Sequence, residues 1–269
     1  MLGLTDTHCH LNLNLFQQDL AEVLARAWDQ GIQHILIPGI DLETSHMAIE
    51  IARRDPRLHA AVGFHPNDAL KWNISAHEEL FQLAQSPEVV AIGEIGLDFY
   101  RDRAPKETQL RVLCAQLELA ADLNKPVILH SRDAMADLWP ILQTWQANLQ
   151  TKSLPLSFHP GVFHSYEGDA ETARQVIAAH FCLGISGPVT FKNALQRQQT
   201  VAALPMEALL LETDAPFLSP HPHRGERNEP SFVVPIAEKI ATLKTMSLES
   251  VVNATTRNAH DLFNWNERP

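Results

Sequence analysis

The chain carries histidines and acids whose types and spacing suit the binding of divalent cations. His8 and His10 stand one residue apart in TDTHCHLN, residues 5–12. On an extended strand, residues i and i+2 share a side, so both imidazoles can be aimed at one ion. Further candidates are His65 in GFHP, Glu94 in GEIGLD, His130 in LHSR, His164 in VFHSYEG and Asp214 in ETDAP. Imidazole suits zinc and similar metals, and carboxylate suits magnesium and manganese as well. Glu94 lies in the apolar run VVAIGEIGLD. A lone carboxylate there would carry a large desolvation cost, which predicts a cationic partner or a metal. Glu212 should face the same side as Asp214, as a supporting partner or an ion pair. Asp6 shares the side of the two histidines and is expected to orient one of them. Cys9 points the other way and is expected to pack.

These residues gain meaning from the elements that must carry them. Short apolar runs at 34–39, 58–64, 89–95, 126–130, 182–187 and 208–213 are predicted strands, with a weaker first strand at 2–7 and an uncertain sixth at 155–163. Continuous apolar runs are typical of parallel strands covered on both faces. Helical patterns fall between them at 17–31, 44–54, 76–85, 106–125, 133–147, 169–180, 192–203, 231–244 and 248–263. In 17–31, Leu20, Val23, Leu24, Ala27 and Trp28 form one stripe, and in 106–125 Leu110, Leu113, Cys114, Leu117 and Ala121 do so. Strand and helix alternate about eight times, the pattern of an α/β (β/α)8 TIM barrel; a doubly wound open sheet is the competing architecture. The carboxyl ends of barrel strands meet at one face, where active sites are built. The candidate ligands follow or end their strands, so they are expected to converge at that C-terminal face. His34, His46, His59, His77, His180 and His260 fall at strand starts or in helices and serve as structural controls. His159 and His164 share one segment, and spacing alone leaves both open.

The chain has 269 residues, is 45% hydrophobic and carries a net charge of −11. That balance argues against a broad basic face for duplex nucleic acid, because phosphate binding is mostly cation-driven. It leaves room for a nuclease that uses metal ions and a few local arginines. Three widely spaced cysteines suit a reducing cytoplasm. No linker, low-complexity segment, signal peptide or membrane-spanning run is apparent, so residues 1–269 are expected to form a single domain, cytoplasmic, away from membranes and monomeric.

The blocks DTHCHL (6–11), GFHP (63–66), GEIGLD (93–98), PVILHSR (126–132), SGPVTFKN (186–193), LLLETDAP (209–216) and RNEP (227–230) occur in the order seen in the TatD family of metal-dependent hydrolases. The chain resembles that family from residue 5 to about residue 262. The resemblance implies an amidohydrolase-like TIM barrel and a metal-dependent deoxyribonuclease, similar to 3′-to-5′ exonucleases, with two divalent metal ions (Mg, Mn or Zn). It implies that His8, His10 and Asp214 hold one metal, that His130 and His164 hold the second, and that Glu94 bridges them. His65 would contact substrate or phosphate. It also selects His164 over His159, because HSYEGD (164–169) matches the spacing of the family's His-Cys-Phe-Ser-Gly block. Ser165 and Glu167 depart from that block, and Glu167 adds negative charge where a phosphate would sit. His221 and His223 are additional histidines in the loop after the eighth strand, taken here as solvated.

The expected chemistry is phosphodiester hydrolysis by a metal-activated water, with Asp214 accepting its proton. Arg132, and Arg227 or Arg224, are candidates to hold phosphate oxygens, each set against a surface salt bridge; Lys192 has a similar claim. The acidic surface favours DNA as single-stranded ends or short oligonucleotides. The alternative is a hydrolase of a carboxylic or aminoacyl ester, lactone or amide. A non-enzymatic metal-binding protein is disfavoured by the near-complete ligand set.

Overall fold

Strands without a polar face need cover on both sides, and here helices supply it. The computed structural model describes residues 3–101 and 103–265. Its strands are β1 (Leu4–Asp6), β2 (Ile32–Pro38), β3 (Leu58–Val62), β4 (Val89–Asp98), β5 (Val127–Arg132), β6 (Gly161–Phe163), β7 (Cys182–Ile185) and β8 (Leu209–Leu211). Helices α1 (Leu20–Asp29), α2 (Leu42–Ala52), α3 (Ile74–Leu83), α4 (Lys106–Asp122), α5 (Met135–Thr151), α6 (Ala170–Ala178), α7 (Leu195–Ala203), α8 (Val233–Lys244) and α9 (Leu248–Phe263) lie between and after them. The strands form one sheet in the order β1 to β8. A doubly wound sheet reverses its strand order at a switch point; this one never does. Thr7, one residue past β1, donates its amide to the Leu211 carbonyl at the end of β8 (2.9 Å), which joins first strand to last. This is the (β/α)8 pattern.

Contacts gather in two compact units. The first holds residues 3–37, 164–178 and 182–261; the second holds 38–101, 103–163, 179–181 and 262–265. In the first, β1 pairs with β2 and β7 with β8, all parallel. In the second, β3, β4, β5 and β6 pair in succession. β3 is buried along its whole length, whereas β5 is buried at Val127–Leu129 and partly open at His130–Arg132. The opening marks the carboxyl end as the polar end of the sheet.

Several boundaries differ from the sequence expectation. Leu2, placed in the first strand, lies outside the described residues. The segment 155–163 contains a one-turn helix at Pro155–Phe158, and only Gly161–Phe163 is strand. His159 therefore precedes β6 and His164 follows it, which separates the two by position. β4 runs on to Asp98 instead of ending near Ile95. The continuation depends on Gly96, whose φ of +144° is closed to other side chains and whose missing Cβ would sit 1.9 Å from the His130 carbonyl oxygen. The buried face of α4 is also rotated from the predicted stripe: Gln109 and Gln116 are buried, and Cys114 is exposed. No helix among the described residues is long and apolar enough to cross a membrane.

Candidate active site

In the first unit, Cys9 makes a parallel bridge with Ala215, so the chain just past β1 stays extended beside the chain just past β8. The His10 amide donates to the Ala215 carbonyl at 2.7 Å, and the Asp214 amide to the His8 carbonyl at 2.8 Å. Cys9 is buried, as its alternate side predicts, and His8 and His10 share the other side. Their Nε2 atoms lie 3.1 Å apart. The Asp214 Oδ1 lies 3.8 Å from the His8 Nε2 and 3.7 Å from the His10 Nε2. A tetrahedral cation with metal–nitrogen bonds near 2.0–2.1 Å holds neighbouring ligand atoms about 3.3 Å apart. The observed triangle brackets that spacing, in a buried setting, with donors that suit zinc, manganese or magnesium. The residues present fit a divalent cation. His164 stacks on His8 with ring centroids 4.1 Å apart. His8, His164 and Asp214 each offer a ligand atom within 4.8 Å of the others.

The frame beneath these ligands comes from two buried acids. Asp6 accepts from the His8 amide (3.3 Å), the Thr213 amide (2.9 Å) and the Thr213 hydroxyl (2.6 Å). It was expected to orient an imidazole; its bonds brace the two backbones that carry the ligands. Burial pushes its carboxyl up to about 8, partly offset by the Thr213 bonds. Glu212 is fully buried, accepts from the Ser165 amide at 2.5 Å and lies 3.7 Å from the His164 Nδ1. This agrees with a supporting role for Glu212.

In the second unit, Glu94 is 3% exposed and has two imidazoles beside it. The His130 Nδ1 lies 2.8 Å and the His65 Nε2 3.5 Å from its Oε1. The other His130 nitrogen faces the Asp98 Oδ2 at 3.3 Å. His65, Asp98 and His130 form a second group whose ligand atoms all lie within 4.8 Å. The His65 Nδ1 accepts from the Asn67 amide at 3.0 Å, so a neutral His65 keeps its proton on Nε2. Asp98 is a site residue that the sequence reading missed. It is 1% exposed and accepts from the Tyr100 and Arg101 amides and from the Asn67 side chain. Burial works against its charge, but bonds from His130, the Arg101 amide and Asn67 outweigh that and hold it well below the usual carboxylate range. Its signal was present: Asp98 lies four residues after Glu94, on the same side of a strand. Gln109 and Gln116 were missed too, and they are positioning residues. Gln109 bonds the Asp98 amide and carbonyl, and Gln116 bonds the Phe64 amide and carbonyl beside His65.

The cations fall differently. Arg132, at the end of β5, lies 4.1 Å over the Tyr100 ring. Arg227 makes a two-pronged ion pair with Asp19 (2.8 and 2.6 Å) and donates to the Leu15 carbonyl. That is the salt bridge set against its phosphate role, and any phosphate contact must be made beside it or in its place. Arg224 lies 3.8 Å over the Phe191 ring. His223 stacks on Phe232, bonds Glu226 and stays partly open. Of the control histidines, His46 meets Glu79 on the surface and His59 stacks on Trp265.

Against known proteins, residues 5–264 match the family described as TatD related DNase. The chain belongs to that family. An uncharacterized metal-dependent hydrolase, YabD, of Bacillus subtilis is 41% identical over 98% of this chain and its own whole length. The 3′-5′ ssDNA/RNA exonuclease TatD of Escherichia coli K12 is 35% identical over 96% of this chain and 98% of its own. The crystal structure of YJJV, a TatD homologue of Escherichia coli, superposes with a TM-score of 0.87 at 31% identity, covering 97% of this chain and 98% of that one. This TatD-family chain is thus a metal-dependent hydrolase with the (β/α)8 barrel of its relatives. Glu167, the departure that added charge to the sixth-strand block, is paired with Arg197 at 2.8 Å. Its charge is compensated within the protein.

Proposed function

We propose that this chain is a phosphodiesterase that shortens single-stranded DNA from its 3′ end, using two divalent cations. The observation that carries the reading is the buried triangle of His8, His10 and Asp214 at cation-ligand spacing. In this reading His8, His10 and Asp214 would hold one ion, His130 and His164 would hold the other, and Glu94 would serve both. Magnesium, manganese or zinc would supply the Lewis acidity that acidifies a water and offsets charge at phosphorus. Asp214 would accept the proton of the attacking water. Asp6 keeps Asp214 in place through the Thr213 backbone. His65 offers its Nε2 proton to a phosphate oxygen, and Asp98 fixes the His130 ring through its Nε2, which leaves the Nδ1 on the Glu94 side to face the ion. Arg132 and Arg227 are the candidate phosphate contacts. The name of the Escherichia coli relative supports a single-stranded substrate and the 3′-to-5′ direction.

The reading takes residues 1–269 as one domain, supported by a family match over residues 5–264, and as a monomer. A cytoplasmic setting is supported by three free cysteines. The test is a 5′-labelled single strand with protein stripped by EDTA and refilled with each metal in turn. A ladder shortening from the 3′ end, absent after stripping and restored by metal, is expected. Full activity in the stripped protein would sink the metal mechanism. Cleavage of carboxylic esters or lactones with no cleavage of the strand would favour the alternative substrate class.

A further inference from the structure

Phe217 presents an aromatic ring to solvent immediately beside the His10–Asp214 pair. It is 49% exposed. Its ring centroid lies 6.2 Å from that of His10, with the planes at 68°. Single exposed apolar side chains are common and need no explanation. What distinguishes Phe217 is the rigidity of the backbone that holds it there. Its amide donates to the Asp214 carbonyl at 2.9 Å. Its carbonyl accepts from the Asn228 side chain at 2.6 Å, and Asn228 is fully buried. The same side-chain amide reaches the Thr213 carbonyl at 2.8 Å, so one buried asparagine clamps both sides of Asp214. The next residue is fixed as well: the Leu218 carbonyl oxygen would lie 1.9 Å from a Cβ on Gly187, a contact that only glycine permits. The loop therefore spends buried polar groups on holding an uncovered ring in one place.

The charge balance says what such a ring is for. With a net charge of −11, the protein has little general attraction for a polyanion. Stacking of a base on an aromatic face supplies affinity without charge, and every base has a face to offer. A base paired in a duplex is already stacked and unavailable. We infer that Phe217 is the platform for the unpaired terminal base of the strand, and that it selects single-stranded ends. This inference rests on the nuclease reading above.

The test compares two single strands, one with an ordinary 3′ nucleotide and one with an abasic 3′ nucleotide. F217A should raise KM about 10- to 100-fold on the ordinary strand and leave KM on the abasic strand within about two-fold. F217W should keep the wild-type KM on both. A strand ending in 2-aminopurine, made uncleavable by a phosphonate linkage, should lose emission on binding wild-type or F217W protein and keep it with F217A. An unchanged KM in F217A, or an equal loss on both strands, overturns the platform. If metal-loaded wild-type protein cleaves neither strand, the nuclease reading falls and this inference with it. If it cleaves both and F217A changes nothing, the inference alone falls.

Discussion

Asp214 and Asp98 have opposite duties, and their variants should fail in different ways. Asp214 touches the reacting water in the proposed chemistry, and asparagine cannot take its proton. D214N should lower kcat about 100- to 10,000-fold while the circular dichroism spectrum stays that of the wild type. A kcat within a few-fold of the wild type would remove Asp214 from the role of base. In the proposed site Asp98 acts through His130, whose Nε2 it faces at 3.3 Å. Losing such a partner typically weakens metal binding about 10- to 100-fold. D98N should therefore shift a calorimetric manganese or zinc titration by that factor, and an unchanged titration would confine Asp98 to packing. The candidate ligands could be picked out in the sequence because each ends or follows an apolar run. Asp98 was overlooked although it closes GEIGLD, because the strand was expected to end at residue 95. The pairing of Arg227 with Asp19 was not legible either, since those residues are far apart in sequence and meet only in the fold.

Among the elements, β4 is the one whose path the site depends on most. It carries both Glu94 and Asp98, and its register against β5 shifts between Ile92 and Ile95. Gly96 makes the stretch beyond the shift possible. G96A should cost about 1–3 kcal/mol from backbone strain alone, before the overlap with the His130 carbonyl is counted. Urea unfolding would measure it, and a midpoint equal to the wild type would show that the φ of +144° can relax. The alternation of strands and helices could be read directly, because apolar runs and amphipathic stretches differ in period. The rotated face of α4 could not. Buried Gln109 and Gln116 read as polar surface until the loop backbones they bond are known.

For the molecule as a whole, acid stability offers a measurement independent of catalysis. Glu229 is bound by Arg26 through both carboxylate oxygens. Burial works against its charge, but the Arg26 and Ser231 bonds hold its carboxyl below the ordinary 4.5. A carboxyl depressed in the folded state contributes stability that is fully present above its unfolded value and lost as pH falls through the folded one. The stability gap between wild type and E229Q should thus be constant above about pH 4.5 and narrow below it, with a modest size because Arg26 is half exposed. A gap that widens in acid would reverse the assignment. The bonds from Thr7 to Leu211 and from Thr213 to Asp6 span 204 and 207 residues. A ribosome adding roughly 5–20 residues per second needs about 10–40 s to cover that interval. Throughout it, His8 and His10 are already made and Asp214 is not. A chain made in this order has no triangle until residue 214 is added, and a product cut short before that point would never gain one.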